Sequence, residues 1–240
     1  MRPIDKGTWP ITEKGNKAVF TQWRNAKYYL EERTGCYCHL CEMRVNNALA
    51  IEHIKAKDSH PRLSACWTNF LLICTSCNSR KNKTPLTPPY RHHYYWPHLN
   101  NTLLAFHTPL VGHNALVVNA HPSLSPPQKQ KADATIKLYA LDKTATATGD
   151  SDRRYLERKQ TISMALERLE EYANNQVSLS AIVDLAVSRG FFSLWLDIFR
   201  GYPKVVHALL DAQPFCQNKT SWFSATLDPL PRNQGKTDPL

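Results

Sequence analysis

Between Asn16 and Arg33 the apolar residues Val19, Trp23, Ala26 and Leu30 recur at helical spacing, which predicts an amphipathic helix capped by Asn16 and stopped at Gly35. A short β-branched run around Ile51 reads as a strand, and "TLLAF" and "ALVV" further on read as two more. Prolines in "TPLTPPY" (84–90) and "HPSLSPPQKQ" (121–130) interrupt the pattern. Beyond them the period is helical again. Tyr155, Ile162, Leu166, Leu169 and Ala173 mark one face of a helix capped by Ser151, and "LSAIVDLAVSRG" predicts another that stops at Gly190. Residues 217–240 show no such pattern and read as a flexible tail. The fold class is therefore α+β, with a mainly α-helical C-terminal region.

At 240 residues and 42% hydrophobic content the chain can bury a core. Its longest apolar stretches, "NFLLIC" and "FFSLWLDIF", fall short of a membrane span, and "MRPIDKGTWPITEKG" lacks the apolar centre of a signal peptide. A cytoplasmic location with no membrane contact is expected. The net charge of +10 is uneven: residues 1–100 carry +8 and the remainder +2. Clustered positive charge predicts contact with a phosphate backbone, so nucleic acid is the expected partner, with Arg80, Lys81 and Lys83 as phosphate contacts.

Six of the seven cysteines lie in the same basic half, between Cys36 and Cys77. Cys38 and Cys41 form one Cys-x-x-Cys pair and Cys74 and Cys77 a second, separated by 32 residues. Four thiolates so spaced can close a tetrahedral Zn2+ site, which is structural because it leaves no open coordination position. Cys36 competes with Cys38 by spacing; the symmetric pairing favours Cys38 and leaves Cys36 and Cys66 as small core residues. Two features exceed what a staple needs. Glu52 and His53 adjoin on the strand-like run inside the loop, and Asn78 follows the second pair directly. Adjacent strand residues point to opposite faces, so both serve one site only where a twist or bulge turns them together. "YRHHYYWPH" (90–98) interleaves aromatic and basic residues, and reads first as core packing.

The ordered set Cys38-x-x-Cys41, Glu52-His53, Asn69, Cys74-x-x-Cys77-Asn78, with Trp67 before "NFLLIC" and Lys81 after the second pair, resembles the HNH endonucleases of the ββα-metal fold. The resemblance implies a β-hairpin carrying the histidine, then a helix carrying the last metal ligand. It implies Glu52 and Asn78 as ligands of a catalytic Mg2+ or Mn2+, His53 as general base, and Asn69 as the amide that braces the histidine loop. Asn78 stands where many members have histidine, and Ala56 where a proline often follows the acid–histidine pair. More loosely, the layout along most of the chain is similar to the PtuB-type HNH proteins of Septu and retron-associated antiphage systems. That likeness implies a PtuA-type ATPase as partner, and in retron versions a reverse transcriptase with its multicopy single-stranded DNA (msDNA). The expected organisation is a nuclease domain over 1–84, a linker with short strands over 85–125, a helical partner-docking region over 126–216 and the tail over 217–240. The competing reading is a non-catalytic zinc module that binds nucleic acid or bridges proteins.

Overall fold

The first helix begins later than its periodicity predicts. In the computed structural model, which describes residues 1–81, 90–111, 115–144 and 151–240, Ile11 pairs with Lys17 across a turn at Gly15, whose φ is +77°. Thr12 donates to the Asn16 carbonyl and Ala18 to that of Pro10, so the backbone at 16–18 is committed to this turn and Val19 is left 80% exposed. Helix α1 spans Ala26–Thr34, buries Ala26 and Leu30, and stops at Gly35 in a left-handed conformation.

Strands β1 (Ala50–His53) and β2 (Phe70–Ile73) pair antiparallel, Ala50 opposite Ile73 and His53 opposite Phe70. Helix α2 (Thr75–Lys81) follows at once. With α1 packed on β2 and α2 on β1, all four residues of β2 are buried, which is why "FLLI" is apolar throughout instead of alternating. The short helix α3 (Tyr90–His93) and a hairpin of β3 (Phe106–His107) and β4 (Asn119–Ala120) lead to α4 (Pro126–Tyr139). The second proline patch therefore starts a helix. Ser125 and Gln128 form a capping box, and the prolines occupy the first turn, where a missing N–H removes no helical hydrogen bond. The first proline patch lies outside the described residues over 82–89.

The remainder is helical: α5 (Arg154–Ala173), α6 (Leu179–Arg189), α7 (Phe192–Ile198), α8 (Pro203–Asp211) and α9 (Lys219–Trp222). Helix α5 is not capped by Ser151; the Asp152 carboxylate accepts the Arg154 N–H instead. Helix α6 ends at Gly190 as expected. None of the described helices is long and apolar enough to cross a membrane.

Two cores form, and their boundary differs from the expected one. The first joins Leu30, Leu40, Ile51 and β2 to Tyr95, Trp96 and Phe106 from the expected linker, and to Ile136, Leu138 and Tyr139 of α4. Residues 85–125 are thus not merely a linker where described, and α4 belongs with the cysteine region. The second core gathers Ile162, Ile182, Phe192, Trp195, Phe199, Leu209 and Phe215, so "GFFSLWLDIF" packs largely within the chain. Residues 217–240 are not a loose tail either. Trp222 enters the second core and Leu240 the first, Arg232 donates to the carbonyls of Ile4 and Pro97, and Lys131 pairs with Asp238 at 2.8 Å.

The cores meet at the first cysteine pair. Met43 bridges to Gly190, and Phe191 N–H donates to the Glu42 carbonyl at 3.0 Å. Gly190 has φ +79°, and a Cβ there would lie 2.5 Å from that carbonyl oxygen. Gly190→Ala is expected to cost about 2 kcal/mol or more in denaturant unfolding, from backbone strain and the clash together. A loss under ~0.5 kcal/mol, the size of an ordinary surface change, would contradict this seam.

Candidate metal centre and histidine site

The first cysteine pair sits on a tight turn. Tyr37 bridges to Arg44, Cys38 N–H donates to the Met43 carbonyl, and Glu42 takes a left-handed φ of +66° to reverse the chain. The second pair straddles the junction of β2 and α2. Between them the sulfurs of Cys38, Cys41, Cys74 and Cys77 all lie within 4.8 Å of one another and are buried; Cys41 and Cys74 are 3.7 Å apart. Tetrahedral Zn–S bonds of about 2.3 Å place sulfurs roughly 3.8 Å apart, so the donor set fits a zinc ion. Cys36 is outside the cluster. Cys66 is half-exposed with its sulfur 3.2 Å from the Thr68 hydroxyl, and so is not a core residue.

As thiols, these groups compete for protons. Burial raises Cys38, but hydrogen bonds from Cys41, Cys74 and Cys77 overcome it and hold Cys38 well below the ordinary thiol range, while Cys41 and Cys77 are pushed well above it. A dication relieves this conflict by taking all four as thiolates. Surrounding residues suit that charge. Buried Arg154 points Nη1 at the Cys77 sulfur (3.4 Å) while donating to the carbonyls of Tyr139 and Ala140 and pairing with Asp152. His39 accepts Leu72 N–H at Nδ1, which makes Nε2 the donor to Thr34 Oγ1 at 2.8 Å; burial holds its imidazole neutral. Glu42 accepts from Ser193 N–H and Oγ and faces the Met1 ammonium at 3.1 Å.

The strand carries Glu52 and His53 in regular register, with no bulge, and their side chains take different neighbours. His53 lies edge-on to both Trp23 and Phe70. Its Nε2 meets the Ser64 carbonyl at 2.9 Å, so Nε2 carries the proton and Nδ1 keeps a lone pair in the neutral ring. Burial lowers its pKa, and Lys81 and Lys57 lower it further, against the Ser64 carbonyl. Asn69 spans the loop between: Oδ1 accepts Lys55 N–H, and Nδ2 donates to the carbonyls of Lys55 and Leu63. It thereby holds the loop that presents Ser64.

Glu52 is engaged differently from expectation. Its Oε1 accepts the Lys81 ammonium, which also donates to the carbonyls of His53 and Ile54, and both side chains are buried. Burial raises the Glu52 pKa, offset in part by Lys81. Lys81 is thus not displayed for phosphate, because the face of α2 that bears it packs on β1. Arg80 is half-exposed and turned toward Asp152 at 3.8 Å. Lys83 lies outside the described residues. Basic residues are exposed around Trp23, which touches His53: Arg24 stacks on it and Lys57 lies near the same ring; Arg62 is exposed two residues before Ser64. Asn78 is half-buried on α2 with no side-chain hydrogen-bond partner among the described residues, and Glu52 Oε2 is the carboxylate oxygen that Lys81 does not hold. These are hard oxygen donors of the kind that suits Mg2+ or Mn2+, so the donor chemistry fits such an ion, while the bound ammonium stands against it.

Sequence reasoning missed Trp23, Ser64, Tyr139 and Arg154. Ser64 acts through its backbone carbonyl, which leaves no residue-type signal. Tyr139 carries a buried hydroxyl without a hydrogen-bond partner among the described residues, and burial together with the charges of Glu52 and Cys77 raises its pKa. Of "YRHHYYWPH", Tyr95 and Trp96 are core residues, whereas His92 and His93 are exposed.

No family model matches the chain, and no curated protein matches it. The functional reading therefore rests on the residues themselves.

Proposed function

We propose that this protein is an HNH-type endonuclease that hydrolyses phosphodiester bonds of DNA or RNA in the cytoplasm, with His53 as general base. In this reading it is the effector of an antiphage complex with a PtuA-type ATPase, and in retron systems with a reverse transcriptase and its msDNA. The observation that carries the catalytic part is the tautomer of His53: Nε2–H is spent on the Ser64 carbonyl, leaving Nδ1 as a neutral base at the edge of a basic surface.

His53 Nδ1 takes a proton from a water whose oxygen attacks phosphorus, and the bond from phosphorus to the leaving ester oxygen breaks. Asn69 and Ser64 hold the ring in the required orientation; Arg24, Lys57 and Arg62 offer charge for the flanking phosphates. Glu52 and Asn78 are the residues that would hold Mg2+ or Mn2+, and the ion would supply charge stabilisation for the phosphoryl oxygens and the leaving oxygen. Zinc on the four cysteines fixes α2 against the hairpin and takes no part in the chemistry.

The non-catalytic zinc module has one observation in its favour, the Lys81 ammonium on Glu52. Cleavage assays decide between the two. Purified protein, with and without the ATPase, is incubated with plasmid DNA and total RNA in Mg2+ or Mn2+. His53→Ala is expected to keep its zinc and melting curve while cleavage falls about 10²- to 10⁴-fold. Unchanged cleavage by that variant would remove His53 from the mechanism, and no cleavage by the wild type under any condition would favour the binding module.

A further inference from the structure

Lys81 ends α2 with its ammonium inside a cradle of oxygens: Glu52 Oε1, the His53 carbonyl and, at 3.3 Å, the Ile54 carbonyl. One carboxylate and two backbone carbonyls form a hard-donor set of the kind that binds divalent cations. We infer that this cradle is a cation site, and that Lys81 and a divalent ion occupy it in turn. The inference rests on the nuclease reading above and adds a residue to it that competes for the ion.

The physical basis is charge and reach. Glu52 is the acidic group of the cradle, and two cations sharing a single buried carboxylate repel strongly where little water screens them. Joint occupancy is therefore disfavoured, and each occupant weakens the other. Asn78, one turn earlier on the same helix, carries an amide oxygen of the kind that could complete an ion's shell. Lys81 sits on a flexible four-carbon stem at the end of α2, so the ammonium can leave without unwinding the helix. Once outside, it becomes a cation available to a phosphate. Ion binding and phosphate binding are thereby linked through one side chain, and the free protein holds the ion weakly until a phosphate draws Lys81 away.

The test uses the full-length, zinc-loaded chain without nucleic acid. Mn2+ affinity is measured by electron paramagnetic resonance for the wild type and Lys81→Met; the variant is expected to bind at least about tenfold more tightly, since it loses a competing charge. In parallel, wild-type lysines are acetylated and quantified by mass spectrometry. Lys81 is expected to be protected without Mn2+ and labelled at saturating Mn2+, with exposed Lys129 labelled in both. Equal Mn2+ affinities with Lys81 protected throughout would overturn the exchange and leave the endonuclease reading standing. Absence of Mn2+ binding by both proteins would overturn the cation site, and with it the metal-dependent reading. Should Lys81→Met lose its zinc, the wild-type labelling decides alone: a Lys81 that stays protected while Mn2+ binds refutes exchange.

Discussion

Cys74→Ser is expected to abolish zinc retention and unfold the cysteine region. Cys74 closes β2 and begins the turn into α2, and its sulfur lies 3.7 Å from that of Cys41 in the other pair. Structural zinc contributes roughly 10–16 kcal/mol in small zinc-binding peptides at neutral pH, while whole domains are stable by only about 5–15 kcal/mol. Loss of one thiolate from a buried set of four is therefore comparable to the stability of the entire fold. Damage would spread through Arg154, whose guanidinium would lose part of the negative charge it faces, and through His39, which ties the first pair to β2. Metal analysis should give one zinc per wild-type chain and none in the variant, with the circular dichroism melt shifted down or lost. A zinc-free Cys74→Ser protein melting within a few degrees of the wild type would refute the staple.

The parts of this site that were legible in advance are those whose chemistry is local. Two Cys-x-x-Cys pairs are read from spacing because each ligand pair is made within one turn. The structure brings Cys38 into the sulfur cluster and leaves Cys36 outside it, as the symmetric spacing suggests. Asn69 makes three bonds to the loop over 55–63, to the Lys55 N–H and to the carbonyls of Lys55 and Leu63. The Lys81–Glu52 contact is not legible in the sequence, where a basic residue near a zinc turn suggests a phosphate contact, because its direction depends on which face of α2 lies on β1. Such a face is set by tertiary packing, which a seven-residue helix does not reveal by periodicity. Ser64 was invisible because only its carbonyl acts. Residues 217–240 read as a tail because no hydrophobic period runs through them, yet distant side-chain bonds tie them down: Asn233 donates to the Leu99 carbonyl, and Asn101 donates to the carbonyls of Trp222 and Leu230. Long-range pairing of this kind has no sequence period.

Deleting residues 126–240 is expected to destroy the cysteine domain itself, although the four clustered cysteines all lie within residues 38–77. The deletion removes Ile136, Leu138, Tyr139 and Leu141 from the first core, all buried. At ~1.5–3 kcal/mol for each large apolar side chain, the loss is on the order of 6–12 kcal/mol, similar to the stability of a whole domain. It also removes Arg154 from Cys77, Ser193 from Glu42, and the carbonyls of Pro214 and Phe215 that accept from buried Arg2. A guanidinium left with only the Thr34 carbonyl as acceptor and a carboxylate left with fewer donors add to the apolar loss. Fragment 1–125 should accumulate as aggregate and hold zinc poorly, whereas fragment 1–144, which restores α4, should be more soluble but still lack Arg154. Size-exclusion chromatography, metal analysis and thermal melts of both fragments beside the full chain provide the measurement. A monomeric, zinc-loaded 1–125 with a melt like that of the full chain would show that α4 is dispensable. Until that is known, loss of ATPase association on removing residues 126–240 would report unfolding as readily as a lost docking surface, so partner contacts on the C-terminal helices are better tested by substituting exposed residues such as Leu166.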